Sequence, residues 1–532
     1  EIGSGLVGSE MCIRDRVDSL KIYYTGHDNR FYTDRCVGRS NRDLSISTEG
    51  LTLEGAGVHY LWLSCDVAPD ALRGRHVTTR LAGVRNGHNF LRPTVSRLVD
   101  RRIGKGLAGI FTLSKTKEAD YHSFQEVVDE MQATGVEDSV VINVMPGVWA
   151  EQILIDAIPG AGHRNKIIFR GMPGSEKVLV SPANIVVRQD TVSAPLVMMH
   201  ASGIRFENIS FNGKDWEAAA ALTACSDICF DNCVFSGAEK GILFADTTVR
   251  CTVRHCRFAG LADTGNSYIG IENVGFEEEN MIEANMFSVG NNETSVGIKW
   301  RAVSALTKLI NNEICTYGRV NTRVVRGMAF DMCGGTPVLA NNTILLSSAS
   351  SASRAVEFLG DTGSPLLVNN IFACPVNGSS IVSEHEELFR KESIQHNLFY
   401  SESGKTAISG SRQYSFEQWQ SLFPTSIGEK PIYRADSVPD LMLPGNLRSG
   451  LSLPYVLEDL IGIARPLSGV TLGCTEYISS EGGPEALPGY PKVVWCGPEA
   501  ATIETGSRHY AKMQLAVAVS YTHLRAHETG AY

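Results

Sequence analysis

Five charged residues stand where a recurring strand would turn them to one side. The segments GILFA, GIENV, GIKWR, GMAFD and AVEFL begin at Gly241, Gly270, Gly297, Gly327 and Ala355, a spacing of 29, 27, 30 and 28 residues. Period-two alternation points Ile242, Ile271, Ile298, Met328 and Val356 inward, with Phe244, Asn273, Trp300, Phe330 and Phe358 in the next inward column. The opposite side then carries Leu243, Glu272, Lys299, Ala329 and Glu357, and two residues on Ala245, Val274, Arg301, Asp331 and Leu359. With rungs about 4.8 Å apart and alternate residues about 6.6 Å apart, Asp331 and Glu357 lie about 8 Å from each other. That separation suits the acid and base of an inverting glycosidase, with Glu272, Lys299 and Arg301 nearby to hold an acidic sugar. The plainer reading is cross-rung pairing, Glu272 with Lys299 and Arg301 with Asp331, worth at most about 1 kcal/mol each on an exposed face.

These segments need a scaffold that repeats, and a second repeat keeps pace with the first. An apolar pair, an asparagine and a further apolar pair recur as IRFENISF, ICFDNCVF, CTVRHCRF, MIEANMF, KLINNEI, PVLANNTI, LLVNNIF and IQHNLF. Aligning them on Asn208, Asn232, His255, Asn285, Asn312, Asn342, Asn370 and Asn397 gives a period of 23 to 30 residues. Such a period with short strands is that of a parallel β-solenoid, each coil returning the chain one rung higher. The asparagine column reads as a ladder of side-chain amides at a buried bend, and His255 as a substitute in that ladder. Before the coils, Ser123 and Glu126 form an S-x-x-E box. Phe124, Val127, Val128 and Met131 follow it at helical spacing, as expected of a helix that covers an open solenoid end.

Composition narrows the classes. The 532 residues are 43% hydrophobic and 20% charged, with a formal net charge of −10 and no basic run, which argues against an electrostatic nucleic-acid binder. No apolar stretch is long enough to span a membrane. Of thirteen cysteines none forms a CxxC pair, and Cys225, Cys229, Cys233, Cys251 and Cys256 read as small buried hydrophobes. The acidic run Glu277, Glu278 and Glu279, with Asn280, is expected to be a solvated turn, with calcium the one cofactor it could hold.

SFQEVVDEM, VVINVMPGVWAEQILI and GIRFENISF resemble the right-handed parallel β-helix, pectin-lyase-like superfamily, in the form common in secreted Bacteroidetes proteins. The resemblance implies an all-β chain, a right-handed parallel β-helix over 108–477 with its capping helix, with GIARPLSGVTLGCTEY (462–477) as a closing strand. Residues 17–90 resemble part of the β-sandwich that precedes BNR-repeat neuraminidases, with Tyr24, Phe31, Tyr60 and Trp62 expected in its core. Residues 91–107 are expected as a linker, and 478–518 as a linker with the start of another β-module. Residues 1–16 and 519–532 resemble translated sequencing-adapter read-through. The superfamily hosts lyases, hydrolases, esterases and non-catalytic adhesins, so its fold does not decide the reaction. The RxPxxR-type pectate lyase signature and the polygalacturonase motifs are missing. Gln189-Asp190-Thr191 precedes the RFEN strand instead of following it, unlike a pectin methylesterase. What remains is a monomeric, secreted or surface-displayed protein that engages a polysaccharide. It would act as a hydrolase or lyase through Asp331 and Glu357, or serve as a non-catalytic glycan-binding scaffold.

Overall fold

The structure is a computed structural model. It describes residues 17–476, apart from 29–30, 32, 42–44, 49, 54–56, 69–70, 72–75, 87–88, 95–98, 105, 163, 174–176, 186–191, 261–265, 276–278, 302–306, 317–321, 332–333 and 431–444, together with 2–6, 503–505 and 508–510. The fold is a parallel β-solenoid of about ten turns. By its internal contacts the chain divides into two compact units, residues 1–235 with 242–252, and residues 236–241 with 253–532.

In the first unit a three-stranded antiparallel sheet (Cys36–Ser40, Val17–Gly26, Tyr60–Val67) shares a core with a second antiparallel sheet. Val17, Leu20 and Ile22 from the one pack with Ile46 and Val77 from the other. Val99–Arg102, within the stretch read as linker, pairs with His76–Asn86, and Ile2–Leu6, within the head read as read-through, lies between Ser45–Ile46 and His76–Asn86. Phe31 is also not core, being 47% exposed, whereas Tyr24 is buried.

The first coils follow. Leu107–Leu113 pairs in parallel with Val136–Val144, and that strand with Ile167–Gly171 and so on to Ile204–Glu207. The helix Phe124–Thr134 starts where the box placed it, Ser123 Oγ accepting from Glu126 N. Glu126 reaches past the cap to accept from His122 N, and Glu151 accepts from Phe124 N and Gln125 N. Phe124, Val127, Val128 and Met131 are fully buried, and Phe124 lies 5.4 Å from Trp149 and 5.7 Å from Phe169. The helix therefore covers the end of the phenylalanine stack Phe169, Phe206, Phe230.

In the second unit three parallel ladders repeat in step. Glu313–Cys315, Thr343–Leu345 and Ile371–Cys374 represent one, and Lys308–Ile310, Val338–Ala340 and Leu366–Val368 another. The third runs through Tyr268–Asn273, Thr294–Arg301, Val324–Asp331, Arg354–Leu359 and Ser379–Ser383. The register of the third ladder sets Ile271, Ile298, Met328 and Val356 in line and Asn273, Trp300, Phe330 and Phe358 in line, all buried, as alternation required. Glycine recurs within this strand, at Gly270, Gly297 and Gly327, because the packing there is tight. A Cβ on Gly297 would stand 2.7 Å from the Gly327 carbonyl oxygen and 2.7 Å from the Ile314 side chain. The far end is covered by a helix absent from the sequence reading, Phe416–Leu422, whose Ser415 and Gln418 make a reciprocal cap and whose Trp419 is buried against Phe399 and Phe423.

The asparagine column is two adjacent columns, and the alignment above slips by one residue between His255 and Asn285. Asn208, Asn232, His255, Ala284, Asn311, Asn341, Asn369 and His396 share a left-handed backbone, with φ between 52° and 58°. The residue after each is the ladder proper. Asn342 Oδ1 accepts from Asn312 N at 2.9 Å and Asn312 Nδ2 at 3.0 Å, while Asn342 Nδ2 donates to the Leu309 carbonyl at 2.8 Å and Asn370 Oδ1 at 3.0 Å. The pattern runs from Asn285 to Asn397, every member buried. His255, itself exposed, belongs to the left-handed column, and its ladder neighbour is Cys256.

The segment after residue 447 corrects a further expectation. It forms no closing strand but a strap joined by the isolated bridges Gly450↔Val470 and Glu458↔Ala464. Asn311 Nδ2 donates to the Glu458 carbonyl at 2.7 Å and Asn369 Nδ2 to the Leu451 carbonyl at 2.8 Å, while Leu447 and Leu472 pack on Cys315, Leu345 and Ile371. Arg465, with its side chain 3% exposed, donates to Asn311 Oδ1, to the Gly473 carbonyl and to Glu476. Asp459 accepts from the Ile461, Ile463 and Glu476 amides.

Three stability predictions come from these contacts. Asn342→Ala strands the Asn312 amide and the Leu309 carbonyl, and is expected to cost about 2–5 kcal/mol in chemical denaturation. Asn208→Ala, at an exposed left-handed position, is expected to cost about 1 kcal/mol. Arg465→Met leaves Glu476 and Asp459 buried without their cation, an expected loss of about 3–5 kcal/mol that hydrogen exchange would locate in residues 447–476. Unchanged exchange there would show that the apolar contacts alone hold the strap.

Candidate functional site

Glu272, Lys299, Arg301, Asp331 and Glu357 all lie on the outer face of the third ladder of the second unit, and each is ion-paired. Glu272 takes Lys299 at 3.0 Å and Lys240 at 3.4 Å, and Arg301 takes Asp331 at 3.3 Å, so both expected cross-rung pairs are present. Glu357 is held by Arg326 at 2.7 Å. Register aligns Ala329 with Glu357 and Asp331 with Leu359, which makes Asp331 and Glu357 diagonal neighbours on adjacent rungs.

Three participants were missed. Lys240 sits one residue before the repeat as it was aligned, Arg326 likewise precedes GMAFD, and Arg354 lies beside Glu357 on its own strand. Starting the segment on the glycine cut off the residue that supplies these cations. Glu384 adds a carboxylate, accepting from Gly360 N at 2.7 Å.

The charges are ordered in depth. Glu272 and Glu357 side chains are each 8% exposed, against 28% for Lys299 and 33% for Arg326, and Asp331 is 27% exposed against 48% for Arg301. The short carboxylates lie beneath and the long cations bend over them, keeping their tips in water. Burial pushes the Glu357 carboxyl above its ordinary value, opposed by Arg326 and Arg354 and reinforced by Glu384. Desolvation by the same packing pushes Arg354 down. The face can thus present guanidinium and ammonium groups to an anion, and it holds one carboxyl whose proton is retained more firmly than usual.

Other charge and thiol clusters have structural duties. In the first unit Arg170 with Glu207 and Arg205 with Asp231 pair across rungs, and Arg205 with Glu207 along one strand, at 2.6–2.7 Å. Burial pushes the Cys225 and Cys374 thiols up to about 12, which leaves them inert as nucleophiles, in keeping with their reading as hydrophobes. Glu277 and Glu278 of the acidic run, and Gln189-Asp190-Thr191, lie outside the described residues. Among the described residues no group of three or more His, Cys, Asp or Glu is placed to hold a metal ion. Likewise, among them no helix is long and apolar enough to cross a membrane.

No protein-family model matches the chain, and no curated protein matches it. Solved structures similar to it include a pectate lyase (13% identity, 70% of this chain and 97% of that one, TM-score 0.35). Others are a pectin methylesterase from Aspergillus niger (13%, 63% and 95%, 0.27) and a lacto-N-biosidase from Eubacterium ramulus (12%, 60% and 67%, 0.30). At identities of 13% and TM-scores of 0.35 and below, these likenesses carry no argument about the reaction, and the parallel β-solenoid rests on the chain's own strand ladders.

Proposed function

We propose that the protein engages an anionic polysaccharide along the outer face of the third ladder in its second unit. The observation that carries this is the depth order of the charges: Lys240, Lys299, Arg301, Arg326 and Arg354 stand on four of five neighbouring rungs, and in the three pairs compared above the cation is the more exposed partner. A linear polymer laid across the rungs meets a new row about every 4.8 Å, and the three consecutive rungs of Lys299 with Arg301, of Arg326 and of Arg354 each offer it a cation. Arginine suits this task because its planar fork matches a carboxylate. The same reading puts the protein outside the cell or on its surface, where such polymers occur, with the solenoid as a stiff platform.

A second reading is hydrolysis, favoured by one feature. Glu357 holds its proton above the ordinary carboxyl range, as a general acid must, and Asp331 lies diagonal to it at about 8 Å by rung and residue spacing. Both carboxylates are already paired to arginines, so binding without cleavage is the reading preferred.

The test uses polygalacturonate, other uronate polymers and neutral glucans, following binding by affinity electrophoresis and cleavage by new reducing ends and unsaturated uronate absorbance. Arg301→Ala and Arg326→Ala are each expected to weaken uronate binding by about tenfold, or about 1.4 kcal/mol, and to reduce its salt dependence. Uronate binding left unchanged by both Arg301→Ala and Arg326→Ala would overturn the assignment. New reducing ends abolished by Glu357→Gln, with binding kept, would establish the hydrolytic reading.

Glu357 also carries a pH prediction. Because its folded value is raised, its contribution to stability is fully present below the unfolded carboxyl value of about 4.3 and is lost as pH rises through the folded value. Glu357→Gln should flatten that descending part of the melting-temperature profile as pH rises above about 4, and an unchanged slope would place the titration elsewhere.

A further inference from the structure

The first unit contains a cavity that the charged face does not involve. It has a volume of about 440 Å³, within the size range of small-molecule sites, and lies where the three-stranded sheet meets the corner of the first coils. One wall is aromatic: Phe31 and Trp62, ring centroids 5.8 Å apart, line it from the sheet side. Phe31 is braced edge-on by Tyr23 at 5.5 Å, and the Trp62 indole N–H donates to Thr25 Oγ1 at 2.9 Å, so both rings are fixed before anything binds. The rest of the lining mixes aliphatic groups with polar ones, among them Ser64 and Thr79 from the sheets and His200 and Ser202 from the coils. Ser202 Oγ accepts from Ser226 Oγ at 3.0 Å, which leaves its own hydroxyl proton to donate.

Among the described residues, no Asp, Glu, Lys or Arg lines this cavity. A charged ligand would lose hydration there without meeting an opposite charge, which disfavours it strongly. A purely apolar ligand would strand the hydroxyls and imidazole. The lining asks for an uncharged ring with one apolar face, to lie on Phe31 and Trp62, and a rim of hydroxyls. We infer that the cavity is a binding site for a neutral saccharide of one or two rings, separate from the anionic polymer site. Phe31 explains itself on this reading, since an aromatic ring left half open to water forgoes about 25 cal/mol for each Å² that a ligand would cover.

The experiment titrates the full chain by calorimetry with glucose, galactose, mannose, N-acetylglucosamine and lactose, and with glucuronate and galacturonate as acidic counterparts. At least one neutral sugar is expected to bind with a stoichiometry of one and the uronates at least tenfold more weakly. Phe31→Ala removes the stacking face. Ala133→Trp fills the cavity from the end of the Phe124–Thr134 helix without deleting a side chain. Each should weaken binding at least tenfold, while Arg301→Ala and Arg326→Ala leave it unchanged, which separates this site from the polymer face. Absence of binding by every neutral sugar at millimolar concentration, uronates that bind as well, or binding that survives Ala133→Trp in a folded variant would each overturn the inference.

Discussion

A coil of this solenoid closes only if the chain turns the same corner at the same height in every turn, and that corner is built from two neighbouring residues with different duties. The first adopts a left-handed backbone, costly for most residues and tolerated best by asparagine among those with a side chain. The second is buried, and its amide supplies the hydrogen bonds that the bent backbone cannot make for itself. Where the ladder asparagine is missing, a thiol takes part of its place. Cys233 Sγ lies 3.4 Å from the Phe206 carbonyl, and Cys256 N donates to Asn285 Oδ1 at the end of the asparagine run. The cysteines of the early coils are thus weak donors at a ladder position as well as fillers of space.

The outer residues of those corners are free to do something else, and in the second unit they hold the strap. Asn311, Asn341 and Asn369 turn their amides to Glu458, Thr471, Gly473 and Leu451, so a device for turning the chain also ties down a segment more than eighty residues away in sequence. The strap in turn covers Cys315, Leu345 and Ile371, side chains that would otherwise leave an apolar stripe on the outside. One consequence is that the charged face of the third ladder remains an open outer surface while another is closed.

What could be read from residues alone followed from periodicity. The inward columns, the first capping helix and the pairs Glu272–Lys299 and Arg301–Asp331 all depend on spacing of two, of three to four, or of one coil, and all are present. The slip at His255 had a legible signal, the doublets Asn311-Asn312, Asn341-Asn342 and Asn369-Asn370, but single asparagines in the early coils satisfy either column. The cap at Ser415 carries an S-x-x-Q box that periodicity in the coils drew attention away from. The strap was illegible for a different reason. Its bonds go to backbone carbonyls and to asparagines more than eighty residues earlier, and no local pattern encodes such partners. Arg326 and Lys240 were lost because the recurring glycine was taken as the start of the strand.

The depth order on the third ladder links binding to protonation. Glu357 is pulled in two directions, upward by burial and downward by Arg326 and Arg354. An anionic polymer that took Arg326 for itself would remove part of the downward pull and leave the burial in place. Glu357 would then hold its proton more firmly with polymer bound than without. The anion that the cations attract is therefore also what would prime the carboxyl beneath them as an acid, and by linkage a proton on Glu357 would release Arg326 toward the polymer. A face of paired charges of this kind needs no unpaired group in the free protein to respond to an acidic chain. It needs only that the cation be the member of each pair that reaches the surface.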